Sequence, residues 1–199
     1  MNLETLKPEI EANVPNARLE IISNPSPSGQ HSLLVDHASA VAVATYLRDA
    51  EHLRFDYCSN VTGVDWPASA LPAPLKPAED EERPPAPTGY LEAVYHLFSM
   101  ELRHGPVILR LRTQDRETLV HVPSLTPVWR SCDFQEREAF DLYGIIFDGH
   151  HDLRRLLMWE EFTDFPMRKD YVEPDDYEYE PTAHDEVLRK TTEHHRGIA

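Results

Sequence analysis

The chain has 199 residues, 41% of them hydrophobic, with a formal net charge of −16 and a mean hydropathy of −0.51. That size predicts one domain with an extended tail, and the excess of acid argues against binding nucleic acid or attaching directly to an anionic membrane. No apolar run is long enough to cross a membrane, the opening MNLETLKPEIEANV lacks the regions of a signal peptide, and two cysteines are too few for the four thiolates of an iron–sulfur cluster.

In chain order, Leu3, Leu6, Ile10 and Val14 are spaced for one face of a helix over residues 3–14. Residues 17–23 and 31–35 predict two strands joined by the Pro- and Gly-containing turn at 24–29. Ser39 is the expected N-cap of a helix over 40–52, whose apolar face holds Val43, Tyr46, Leu47 and Ala50. A third strand is expected over 55–64. Residues 66–88 hold seven of the chain's 17 prolines and an acidic knot, Glu79–Glu82, which predicts an extended surface loop. Two more strands are expected, over 90–100 with apolar groups on both faces and over 107–112, joined by a turn at 103–106. Val107, Leu109 and Leu111 alternate there with Arg110 and Arg112. Thr126 and Pro127 predict a short helix.

A longer helix follows, with Asp133 as N-cap, Glu136 reaching back to it as in a capping box, and Gly144 as the left-handed residue beyond its end. Cys132, Ala139, Phe140 and Tyr143 form its expected apolar stripe, and Arg137, Glu138 and Asp141 share the other side. Helices and strands in this order predict an α+β fold: a mostly antiparallel sheet with helices packed on one face, followed by an extended C-terminal arm. The domain would span 1–150, and residues 151–199 would form the partner-binding arm, with its acidic, tyrosine-containing end ordered only in an assembly.

Carboxylates at Glu136, Glu138 and Asp141 lie near Arg137, Arg154, Arg155, Arg168 and Lys169 in the chain. This density of both charges suits a surface covered by another protein, and composition alone equally suits a solvated amphipathic helix. His150 and His151, with Asp148 and Asp152 beside them, are the most metal-like cluster. Adjacent histidines usually point apart, and the helical H-x-x-x-H spacing is missing, so no metal ligand is assigned. Phosphate-cradle, dinucleotide and nucleophile-elbow motifs are also missing, so no catalytic residue is assigned.

Glu136-Arg137-Glu138-x-x-Asp141-Leu142-Tyr143-Gly144-Ile145, then Phe147-x-Gly149-His150-x-Asp152-Leu153-Arg154-Arg155, then Pro166-Met167-Arg168-Lys169-Asp170-Tyr171 form a long, ordered signature. It resembles that of the C subunit of proton-translocating NADH:quinone oxidoreductase, respiratory complex I. Residues 119–129 and Tyr95–Ser99 resemble the same family. His151 replaces a usual Pro, Asp164 a usual Gly and Val172 a common Pro. The resemblance implies a non-catalytic subunit of the peripheral arm, at the cytoplasmic face of the bacterial inner membrane. It would pack against the quinone-module D subunit and the iron–sulfur B subunit, and meet the membrane only through the complex. That complex uses FMN, iron–sulfur clusters, NADH and quinone, none of them bound by this chain. Two rivals stand beside this reading: the equivalent subunit of a membrane-bound hydrogenase or other dehydrogenase, and a stand-alone metal-dependent hydrolase built on His150 and His151.

Overall fold

A computed structural model describes residues 2–71, 88–118 and 120–172. The expected 66–88 loop lies largely outside these residues, and the tail beyond Val172 lies wholly outside them. Helix α1 spans Leu3–Asn13, with Asn2 as N-cap accepting from the Glu4 N–H, and buries Leu6 and Ile10 as their spacing requires. Strands β1 (Leu19–Ile22) and β2 (Ser32–Val35) form the expected antiparallel hairpin.

Helix α2 spans His37–Asp49, and its N-cap is Asp36 rather than the expected Ser39. The Asp36 carboxylate accepts from the Ala38 N–H, whereas Ser39 sits inside the first turn with its hydroxyl donating back to the Asp36 carbonyl. Asp precedes Ser in the chain and caps as well, so the helix starts earlier.

Three long strands follow: β3 (Tyr57–Trp66), β4 (Tyr90–Ser99) and β5 (His104–Arg112). The sheet order is β1-β2-β5-β4-β3. Helix α2 carries the chain from β2 to the far edge, and β3, β4 and β5 return antiparallel until β5 docks parallel to β2. The sheet is therefore mixed, with one parallel pairing among otherwise antiparallel ones. Central β5 buries Val107, Leu109 and Leu111 against the same core as Leu47 of α2 and Ile10 of α1. On the opposite face of β4, Glu92 is 1% exposed and accepts from Arg110, Arg112 and the Trp66 indole.

The expected helix at Thr126 is a turn, in which the Val128 and Trp129 N–H groups both donate to the Leu125 carbonyl. A short 3-10 helix, Arg130–Cys132, leads into helix α3, Asp133–Tyr143. Two three-residue strands, β6 (His121–Pro123) and β7 (Ile146–Asp148), form a parallel ribbon that local pattern did not reveal. The first compact unit runs from Met1 to Lys169.

Candidate functional site

Helix α3 and the chain after β7 carry nearly all the signature residues. The helix does not begin as expected. Cys132 takes the cap position in a right-handed conformation, with no side-chain cap, and Asp133 is already helical. The Glu136 side chain does not turn back to the cap: it is fully buried between α3 and the sheet. Its Oε1 accepts from the Tyr95 hydroxyl at 3.0 Å and the Leu125 N–H at 2.9 Å, and its Oε2 lies 2.6 Å from Ser124 Oγ. Burial pushes its pKa up to about 7, against the opposing pull of those three hydrogen bonds.

Arg137 and Asp141 on the charged side of α3 are buried as well, because residues 152–158 fold over them. Asp141 is fully buried. Its Oδ2 accepts three successive backbone N–H groups, from Leu156 (2.9 Å), Leu157 (2.6 Å) and Met158 (2.9 Å). Arg155 completes the set at Oδ1, 2.7 Å away. Burial alone would raise the Asp141 pKa, yet these four donors hold it below the ordinary carboxylate value. Arg137, 4% exposed, donates to the carbonyls of Arg154 and Arg155 and lies near the Asp152 carboxylate. Leu153 packs against the core, and Phe147 lies within it.

The end of α3 is closed from the same segment. Gly144 has φ 76°, and a Cβ there would come within 2.6 Å of the Phe165 ring and 2.7 Å of the Arg168 guanidinium. Arg168 lies over the Phe165 ring and donates to the carbonyls of Tyr143 and Arg116. The Lys169 N–H donates to Asp65, which also receives a two-pronged contact from Arg116. Tyr143 lies over Gly63 of β3, where no side chain would fit.

Glu138 alone of the helix's signature acids is exposed. Arg154 is also exposed, paired with Asp152, whose pKa that partner lowers. Leu157, Trp159 and Met167 are 61%, 49% and 52% exposed. Gly149 closes the turn after β7 at φ 83°, and Pro166 is half-buried before Arg168. Asp170 is exposed and Tyr171 half-buried, and both belong to the second unit.

The histidines do not point apart: the rings of His150 and His151 stack at 5.1 Å, and both face Asp133. Three candidate ligand atoms thus lie within 4.8 Å of one another. The hydrogen bonds disfavour a metal there, however. His150 Nδ1 accepts the Asp152 N–H, so the ring proton sits on Nε2, which donates to the Asp133 carbonyl. Both of its nitrogens are already used.

Asp65 and Arg116, which meet the end of the signature, and the separate Glu92–Arg110–Arg112 group were not singled out from sequence, and Tyr95 and Ser124 stood in family-like stretches without a role. The available signal was an acid inside a β-rich run, as at Asp65 and Glu92, since a charge there needs a partner.

The family described as the 30 kDa subunit of respiratory-chain NADH dehydrogenase matches residues 33–186. The C subunit of NADH-quinone oxidoreductase from Rhodopseudomonas palustris is 35% identical, with 94% of this chain and 85% of that protein covered. The C subunit from Caulobacter vibrioides is 36% identical, over 85% of this chain and 73% of its own. The match to the Nocardioides C subunit is 42% identical over 65% of this chain, and spans 44% of that relative's length. Among solved structures, the trypsin-resistant fragment of Nqo5 aligns with a TM-score of 0.48 at 25% identity, over 77% of this chain and 100% of its own. A chain of the membrane-bound sulfane sulfur reductase, an archaeal respiratory membrane complex, aligns at 0.56 and 18% identity, over 95% of this chain and 91% of its own. That second likeness is one of fold.

Proposed function

Because the chain belongs to the family of the 30 kDa subunit of respiratory-chain NADH dehydrogenase, we propose that it is a structural subunit of the peripheral arm of NADH:quinone oxidoreductase. The assembly passes electrons from NADH through FMN and iron–sulfur clusters to quinone, coupled to proton translocation. This chain binds none of those groups and carries no catalytic centre of its own. Its neighbours are the quinone-module D subunit and the iron–sulfur B subunit. They hold it at the cytoplasmic face of the bacterial membrane; no helix among the described residues is long and apolar enough to cross one.

One observation carries this reading. Asp141, Arg137, Arg155 and Arg168 are engaged inside the chain, fixing the segment after β7 onto α3. The same segment exposes Leu157, Trp159 and Met167, and Glu138 and Arg154 are exposed as well. Exposed large apolar side chains and exposed charges, on a backbone held by internal hydrogen bonds, suit docking on another subunit. The two cysteines are both buried in the core, which supports electron carriers residing elsewhere in the assembly.

The test is purification of the tagged chain from its native membranes, with partners identified and metal measured. Recovery with the D and B subunits, all iron residing in the cluster-bearing subunits, is the expected result. A solitary protein with its own bound metal would overturn the proposal. Recovery with hydrogenase or other dehydrogenase subunits, and no NADH-binding subunit, would move the chain to a related machine.

A further inference from the structure

The geometry around Glu136 points to a second property: we propose that this buried carboxyl is a proton-exchanging group, carrying its proton on Oε2 and passing it through Ser124 and Thr126 to the surface pocket beside them. The two oxygens are not equivalent. Oε1 receives two fixed donors, the Tyr95 hydroxyl and the Leu125 N–H, so it accepts in either charge state. Among the described residues Oε2 meets only Ser124 Oγ, at 2.6 Å, within the range of a strong O–H···O contact.

Ser124 Oγ in turn lies 2.7 Å from Thr126 Oγ1 and accepts the Thr126 N–H at 3.2 Å. When Glu136 is protonated, Oε2–H donates to Ser124 Oγ, and the Ser124 hydroxyl donates to Thr126 Oγ1. When Glu136 is ionised, the Ser124 hydroxyl donates to Oε2 and accepts from the Thr126 hydroxyl. Every hydrogen bond of Ser124 is satisfied in both states. Proton transfer along the chain converts one arrangement into the other, and no side chain has to leave its place.

The transfer balances in the same terms. Glu136 gives its proton to Ser124 Oγ, Ser124 passes its own to Thr126 Oγ1, and Thr126 releases one to solvent in the pocket. That pocket, of about 370 Å³, is lined by Thr126, Arg130, Asp133 and His151.

Burial, with no cation among the groups facing it, makes the neutral form of Glu136 accessible. The titratable groups facing it are Tyr95 from β4, and Cys132 and Asp133 at the start of α3. None of these is a lysine or arginine, in contrast to Asp141, which has Arg155. Burial without a cation favours the protonated acid, and Asp133 adds to the effect.

The test is an infrared pH titration of the full chain and two variants, from about pH 5 to about pH 9, where the group changes charge. Wild type is expected to show a protonated-carboxyl band that disappears with a midpoint of about 7, and Glu136→Gln is expected to lose that band. Thr126→Val leaves the Ser124 hydroxyl without an acceptor when Glu136 is neutral, so its band is expected to vanish at lower pH. It should also vanish more slowly after a rapid pH jump. A wild-type spectrum without the Glu136 band at the acidic end would overturn the proposal. So would a Thr126→Val chain with unchanged midpoint and unchanged rate. Circular dichroism of each variant confirms that the fold is present, so that loss of the band is not loss of structure.

Discussion

Arg155 and Asp141 meet at 2.7 Å, fourteen positions apart in the chain, and the same carboxylate gathers the N–H groups of Leu156, Leu157 and Met158. A side chain at the end of α3 thus does for the following segment what a cap does for a helix. It supplies the acceptor that three consecutive backbone donors would otherwise lack. Residues 149–172 hold their shape for this reason, although they form no helix or strand of their own.

Asp141→Ala leaves those donors and the Arg155 charge without their acceptor. It is expected to cost about 3–5 kcal/mol in urea unfolding, the range for breaking a buried pair from one side. The pH dependence follows from the lowered folded pKa. The group's contribution is present above its unfolded value near 3.8 and is lost as the pH falls through the folded value. Asp141→Asn should therefore flatten the acid limb of the stability curve, and a variant with an unchanged acid limb would contradict this account.

Gly144→Ala places a Cβ against Phe165 and Arg168 at a backbone angle that side chains rarely adopt. A loss of roughly 1–3 kcal/mol is expected from backbone strain alone. Limited proteolysis should show cleavage moving into residues 159–168, since Phe165 and Arg168 close that segment onto the helix at Gly144. Cleavage elsewhere in the chain, with this stretch still protected, would place the damage wrongly.

Gly63→Ala sets a methyl inside the ring of Tyr143 and should push α3 away from β3. Combining it with Tyr143→Ala is expected to cost less than the sum of the two single changes, because the second relieves the clash made by the first. Additive costs in a double-mutant cycle would mean that the ring does not set the approach of helix to strand.

Glu138→Ala and Arg155→Ala separate docking from folding. Glu138 is exposed, so its removal should change the stability of the isolated chain by no more than about 0.5 kcal/mol while lowering recovery of the assembled complex. Arg155 is held by Asp141, so its removal should lower both. In the complex that does assemble, turnover per complex should be normal for each. Full assembly with reduced turnover would show that these side chains serve the reaction and not the interface.

Local pattern made most of the scaffold legible. The alternation of Val107, Leu109 and Leu111 with Arg110 and Arg112 named the buried face of β5 correctly, since a strand's side chains point to opposite faces in turn. Gly144 could be placed beyond the end of α3 because a left-handed residue there is a local backbone requirement. Glu136 was misjudged for the opposite reason. Its spacing from Asp133 allows a capping box in an isolated helix, but Tyr95, Ser124 and Leu125 offer three donors that arrive only with the sheet and the loop.

The sequence by itself determined the order of the three α-helices and the five strands of the main sheet, the alternating core and the family signature, because these depend on neighbours within a few residues or on a linear motif. The tertiary structure decided the use of the signature's charges. Spacing on α3 placed Arg137 and Asp141 on a polar side, and the returning chain buried them there, because three unpaired backbone N–H groups and a guanidinium need an acceptor more than that carboxylate needs water. The β6–β7 ribbon, the stacked histidines and the Glu136–Ser124–Thr126 chain have the same origin. Each joins groups that are far apart in sequence or carry no signal individually, and only packing gives them partners.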